Sequence, residues 1–596
     1  MAKNKRSPNM DGAGANENTE PMPLERELVI IAKPEVELRV GRDGLRSASG
    51  ADVASFDSFL ASEAVTLRPL FGVSEERLKA QVATFSTPDT PEVPDLSLFY
   101  KVDAPDSHLD ELAERFRQQD TVEAAFVKPP AELAQLVEVE PETITLNTML
   151  PRDEEPPTHT PDFSARQGYL DAAPGGIDAR FAWTQPGGSG ANVRIIDIEG
   201  AWRFTHEDLT QNQGGVVGGT QSTDLRWRNH GTAVVGEFGG DRNPRGVTGI
   251  SPDANVRAIS IFGGLGSAAA IRQAADMLNP GDIILIELHR PGPQFNFQNR
   301  DDQRGFIAIE WWPDDYAAIQ YASSRGVMVV EAAGNGAENL DDALYDTNPA
   351  APFGPFPSWW RNPFRRNPLD SGAIVVGAGA PPPGTHGRDH GPDRSRLDFS
   401  NWGALVDAQG WGREVTTTGY GDLQGGLNED EWYTDRFSGT SSASPIVVGA
   451  LTCVQGVLRA HGRIPLSPAR AREVLRATGS PQQNALGRPS TQRIGNRPDL
   501  RQMIAYALRT NAWTGVQFTG SLAAGQTRRW FTFNWPAHWH VLWTVVPTTP
   551  RPGGPQIRWN VQVERASFQY ITYWISVTNV SPAPVDFEAR FAVLGW

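Results

Sequence analysis

The chain has 596 residues, 39% of them hydrophobic, with 18 Trp and 26 Phe, so it can bury sizeable cores but is too long for one, and several domains are implied. Acidic residues outnumber basic ones 70 to 54, a formal charge of −16, which argues against a nucleic-acid binder relying on phosphate attraction. A single cysteine, Cys453, excludes an intrachain disulfide; it reads as a small buried hydrophobe.

In chain order, residues 1–25 are polar and rich in Gly, Asn and Pro, and disorder is expected. The first residues are basic with no apolar stretch behind them, so no Sec signal peptide is read, and no run is expected to reach membrane-spanning length. The expected location is the cytoplasm, or outside by a route the sequence does not display. Residues 26–132 hold strand-like runs at 28–33, 65–71, 98–104 and 122–129. A helix at 107–118 carries Leu109, Leu112, Ala113 and Phe116 on one face, with Ser107 and Asp110 suggesting a capping box. That mixture predicts a small α+β domain. Residues 133–165 are acidic and proline-rich and read as an exposed linker, with Thr158, Thr160 and Asp162 in an accessible stretch.

Residues 166–509 carry short apolar runs at 192–199, 256–262, 282–288, 327–333 and 373–379, typical of parallel strands buried on both faces. Helices at 268–278 and 316–324 lie between them, the second with Gly326 as a C-cap. A doubly wound α/β sheet follows, whose ligands bind beyond the carboxyl ends of the strands. Residues 510–596 hold eight Trp in alternating stretches and read as an all-β sandwich.

Three polar residues stand out: Asp197 at a strand end in VRIIDIEG, and His230 in RNHGTAVVG and Ser441 in FSGTSSASP, both expected at helix starts. Each alone reads as a cap, turn or surface residue. Together they supply what a serine nucleophile needs: a base for its proton and a carboxylate to orient that base. Asn335, after the run VMVVEAAG, is placed to donate to a developing oxyanion beside the Ser441 backbone N–H.

IIDIEG, HGTAVVG, AAGNG and GTSSASP, in the order Asp, His, Asn, Ser, resemble the motifs of the subtilisin-like serine proteases, the subtilases of peptidase family S8. The resemblance covers about residues 166–509. It implies a subtilisin-like fold and an endopeptidase in which Asp197 orients, His230 is general acid and base, Ser441 is nucleophile and Asn335 stabilises the oxyanion. By the same resemblance, residues 26–132 are a ferredoxin-like inhibitory propeptide, removed by cutting between about 132 and 165. Substrate contacts are implied for Gly263 and Gly264, as part of a strand pairing with extended substrate, and for Glu287, Leu288 and Gly334. Glu287 stands where the family has Ser of Ser-Leu-Gly, and would select basic side chains or pair with Arg290. Ser442 replaces the usual Met. The aromatic insert at 346–368 is expected at the cleft rim.

No cofactor is required for such chemistry; structural calcium is left open, with Asp208 resembling a ligand position. Expected partners are a protein or peptide substrate and the chain's own propeptide, with neither nucleic acid nor membrane. The alternative is a catalytically inactive protein of this fold that binds a glycan or protein through its Trp-rich β-domain.

Overall fold

The computed structural model describes residues 25–41, 44–82, 94–135, 159–509, 513–549, 554–567 and 569–594. The predicted disorder at 1–24 and most of the predicted linker, 136–158 with Thr158, lie outside the described residues.

Seven parallel strands form the central sheet: β1 (Arg194–Glu199), β2 (Gln213–Gly218), β3 (Asn255–Ser260), β4 (Ile283–Ile286), β5 (Met328–Ala332), β6 (Ile374–Gly379) and β7 (Ala408–Trp411), in the order β7-β6-β5-β4-β1-β3-β2. Five were legible as apolar runs. The edge strands β2, QGGVVG, and β7, AQGW, were not, because an edge strand needs no continuous apolar stretch. One face is covered by α1 (Leu225–Gly239) and α4 (Thr440–Ala460), the other by α2 (Ser267–Met277) and α3 (Pro313–Ser324). Gly326, at φ +79°, follows α3 in the left-handed conformation a glycine tolerates.

Helix α4 corrects one expectation. Its 21 residues, at mean hydropathy 1.4, are long and apolar enough to cross a membrane, yet that stretch is wholly buried inside the protein. Cys453 lies on it, buried and free, with its Sγ against the Ile250 carbonyl at 3.3 Å.

The N-terminal domain pairs four antiparallel strands in the order Thr66–Pro69, Phe99–Asp103, Glu27–Ala32, Val122–Lys128. With helices Ala54–Glu63 and Leu109–Arg117 between strands, this is the ferredoxin-like arrangement. The Ser107–Asp110 capping box does not form: a 3₁₀ turn at Asp106–His108 leads in, and the helix start has no side-chain cap. Strand Glu27–Ala32 is apolar on both faces for a reason. Leu28 and Ile30 pack on the domain's own helices, while Val29 and Ile31 join a core shared with Ala268, Ile271 and Trp312 of the central domain. The domain is therefore docked by its sheet face across α2 and α3.

The aromatic insert completes that docking. The Val127 amide donates to the Pro352 carbonyl at 2.9 Å, and Phe126 meets Phe356 edge-on at 5.2 Å. Expected at the cleft rim, the insert instead grips the last strand of the N-terminal domain.

At the C-terminus, two three-stranded antiparallel sheets face each other over Leu522, Trp535, Trp543, Ile575, Val577 and Phe587. Trp535 contacts Trp513, Trp539, Trp543, Tyr573 and Phe591. Trp535→Ala should cost about 3–5 kcal/mol within this sandwich; calorimetry is expected to show its melting step fall while that of the central domain holds.

Candidate active site

The carboxyl end of the central sheet gathers the chemistry, as the strand geometry requires. Glu199 ends β1, and Asp197 lies two residues earlier on the same face. His230 lies in the second turn of α1 rather than at a helix start: Asp224 caps that helix, accepting from the Arg226 amide at 2.9 Å. Ser441 lies in the first turn of α4, behind Gly439 at φ +111°, where backbone N–H groups have no partner within the helix and are free to bond groups outside it. All four side chains are fully buried.

The structure reassigns the carboxylate. Nδ1 of His230 meets Oε2 of Glu199 at 2.8 Å. Asp197, expected to orient the imidazole, instead takes the indole N–H of Trp202 on its Oδ2 at 2.7 Å. The reason is position along the strand. Glu199 is the last residue of β1, and its longer side chain reaches the edge where His230 stands, whereas Asp197 sits one pleat deeper. The missed signal was the pair itself: two acids at i and i+2 share a strand face, and the outer one reaches the cleft.

Burial decides the protonation states. His230 is pushed down to about 3, so its imidazole is neutral near pH 7. With Nδ1–H donated to Glu199, its Nε2 lone pair is available. Burial drives Asp197 and Glu199 well above the usual carboxylate range, and Glu199 raises Asp197 further. Oδ1 of Asp197 and Oε1 of Glu199 are both buried without a hydrogen-bond partner among the described residues. One proton shared between them would satisfy both.

Glu287 is a third buried carboxyl, in the break between β4 and a short strand at Leu288–Pro291. It accepts the Ser444 hydroxyl at 2.5 Å and is raised well above its ordinary range by burial, offset by the hydroxyls of Ser444 and Ser441. It does not pair with Arg290, which faces Asp315 at 3.5 Å and Glu27 at 3.8 Å.

Around Ser441 the backbone donors are in use. The Ser441 N–H donates to the Ala134 carbonyl at 3.2 Å. Residues Glu132–Leu133 form a strand antiparallel to Leu288–Pro291, with Leu133 opposite Leu288 and Glu132 opposite His289. Gln303 Nε2 also donates to the Leu133 carbonyl at 3.0 Å. The start of the expected linker is thus laid in the cleft as an added strand. Its far end is docked too: Thr160 bonds Glu207 at 2.5 Å, and Phe163 donates to the Gly246 carbonyl at 2.7 Å, while Asp162 stays exposed. Ser441 Oγ and His230 Nε2 carry no well-aligned hydrogen bond among the described residues.

Asn335 is held beside Ser441: its Oδ1 accepts from the Thr440 amide and hydroxyl, both at 2.9 Å. Its Nδ2 donates to Gln303 at 2.9 Å. Gly334 precedes it at φ +95°, its carbonyl taken by the Asn401 amide. Leu288 meets the tail as a strand partner. Gly263 and Gly264 do not form the expected pairing strand: both are turn residues at positive φ, and the Gly264 carbonyl is held by Arg68 at 2.6 Å. Asp208 has protein donors on its carboxylate, from Asn243, Val247 and Tyr433. Among the described residues no group of three or more His, Cys, Asp or Glu gathers as a metal site.

Because burial depresses His230, it should stay neutral down to about pH 4 in the tail-bound protein. Nitrogen NMR of the imidazole is expected to show a proton on Nδ1 at pH 5 and above. Glu199→Gln should remove that signature and Asp197→Asn should keep it.

The chain is similar to known proteins. The Subtilase family model, Peptidase_S8, matches residues 158–495, more than half of the chain. The alkaline protease of Alkalihalobacillus alcalophilus is 28% identical over 274 residues, 45% of this chain but only 54% of its own length. Subtilisin Savinase of Lederbergia lenta is 28% identical over 274 residues, 45% of this chain and 77% of its own. Among solved structures, fervidolysin from Fervidobacterium pennivorans, a keratinolytic enzyme related to subtilisin, aligns at 15% identity and TM-score 0.46, over 96% of this chain and 70% of its own. On the family match over residues 158–495, this chain belongs to the subtilases.

Proposed function

We propose that this chain is a serine endopeptidase in which Ser441 is the nucleophile, His230 the general base and acid, and Glu199, in place of the expected Asp197, the residue that orients His230. One observation carries the reading: the Ser441 N–H holds the carbonyl of Ala134, in a segment paired with Leu288–Pro291 as an extended substrate would be. A donor aimed at a carbonyl oxygen in the ground state is in place to stabilise the charge that oxygen acquires under attack.

The steps follow from the geometry. Ser441 Oγ attacks the Ala134 carbonyl carbon while His230 Nε2 takes its proton, and Glu199 stabilises the imidazolium that forms. The protonated His230 then delivers that proton to the leaving amine of Gln135, and water hydrolyses the acyl-enzyme. Asp197 is a positioning residue that shares a proton with Glu199 and is fixed by Trp202. Asn335 is the second oxyanion donor, turning from Gln303 to the oxyanion as charge develops. The N-terminal domain is an intramolecular inhibitor, cut from the rest at Ala134–Gln135. No calcium enters these steps.

Full-length protein followed by intact mass is expected to yield a new N-terminus at Gln135, while Ser441→Ala stays whole. A wild-type chain that is neither cut nor labelled by a serine-directed fluorophosphonate would sink the reading. Glu199→Gln should lower kcat/KM by about 1,000- to 10,000-fold, as expected when the orienting carboxylate is lost. Asp197→Asn should cost less than about tenfold, since an amide can still meet Glu199 and Trp202.

A further inference from the structure

Six residues before Ala134, Lys128 ends the last strand of the N-terminal domain, and its ammonium is fully buried. In the central domain it contacts Asp314 closely, Asp315 Oδ2 at 3.2 Å and the Ser267 hydroxyl at 3.4 Å; in its own domain it also meets Glu27 at 3.4 Å, a carboxylate that Lys101 pairs at 2.7 Å. Arg290 closes the site from the cleft side: its guanidinium holds the Pro129 carbonyl and donates to Ser267 at 2.8 Å. Ser267 in turn donates to Asp315 Oδ1 at 2.5 Å. The other oxygen of Asp314, Oδ1, is buried with no partner among the described residues.

Acids at the start of α3 suit the helix dipole, and a helix needs nothing more of them. That role does not call for burying two adjacent carboxylates, one with an orphan oxygen, around a single ammonium. Such burial is costly unless a cation is supplied. The central domain supplies one guanidinium, Arg290, against two carboxylates, which leaves one negative charge in surplus. The cation that neutralises it, Lys128, arrives on the same strand of chain that enters the cleft. Between Lys128 and Ala131 stand Pro129 and Pro130, a stiff spacer that fixes the distance from the ammonium to the carbonyl at Ser441.

We infer that Asp314 and Asp315, with Ser267 and Arg290, form a subsite for a lysine side chain at the seventh residue before the cleaved bond, six before the residue whose carbonyl is attacked, so that the matured enzyme prefers peptide substrates with a lysine there. This rests on the endopeptidase reading and names its substrate class. Once the N-terminal domain has left, Arg290 still faces Asp315, and one negative charge of the pair is left unmet. A substrate following the same backbone path brings the missing ammonium, which makes an ion pair with the carboxylates that an uncharged side chain cannot make.

The test uses full-length protein allowed to mature, confirmed by mass, and synthetic peptides spanning residues 124–137 of this chain. One carries lysine at the position of Lys128, one norleucine and one N-acetyl-lysine. The lysine peptide is expected to be cut at Ala134–Gln135 with kcat/KM about 10- to 100-fold higher than either of the others. The double variant Asp314→Asn, Asp315→Asn should bring the three rates together within about twofold, with a circular dichroism spectrum matching the wild type to show that it is folded. Equal cleavage of all three by the wild-type enzyme would overturn the subsite and leave the peptidase intact. A chain that never matures and cuts none of them would overturn the peptidase reading, and the subsite with it.

Discussion

A parallel sheet covered on both faces leaves polar chemistry only one place to gather, the edge where its strands end. Everything distinctive about this protein follows from that constraint. β1 spends its length on Ile195, Ile196 and Ile198, which pack into the two layers, and can hold a useful acid only near its last residue. The break after β4 puts Glu287 and then the paired strand Leu288–Pro291 at the same edge. α4 begins there, with the Ser441 N–H facing the tail in the cleft, and most of its remaining length is buried.

The same constraint sets the electrostatics. Three carboxyls, Asp197, Glu199 and Glu287, share a buried space with a neutral imidazole. Burial raises all three carboxyls and lowers the histidine, so protons rather than ion pairs balance the site. The cover comes from the chain itself. The N-terminal domain lies across α2 and α3, and its tail fills the cleft through backbone pairing that is indifferent to side chains. A side-chain charge contact lies farther out, where Lys128 meets Asp314 and Asp315, remote from Ser441.

The aromatic insert shows why a cleft-rim assignment from composition alone falls short. Phe356 and Trp360 pack with Trp311, and Phe356 also meets Trp312 and Phe126. Aromatic bulk was readable from the sequence; the surface it would cover was not, because a Phe side chain packs equally well against either neighbour.

The sequence by itself pointed to the α/β architecture, because short apolar runs rich in Ile and Val, separated by helical periods, fit buried strands of a parallel sheet. GTSSASP and HGT also marked Ser441 and His230 as candidates, and the structure puts them on α4 and α1. The tertiary structure decided which acid meets that imidazole: Asp197 and Glu199 share one strand face, and only the neighbouring helix fixes which of them His230 reaches. It decided as well that residues 132–135 lie in the cleft, because that segment carries too little pattern to declare itself a strand until Leu288 stands beside it. Local chemistry is written in the chain, but a contact between segments more than 150 residues apart exists only once the sheet has brought them together.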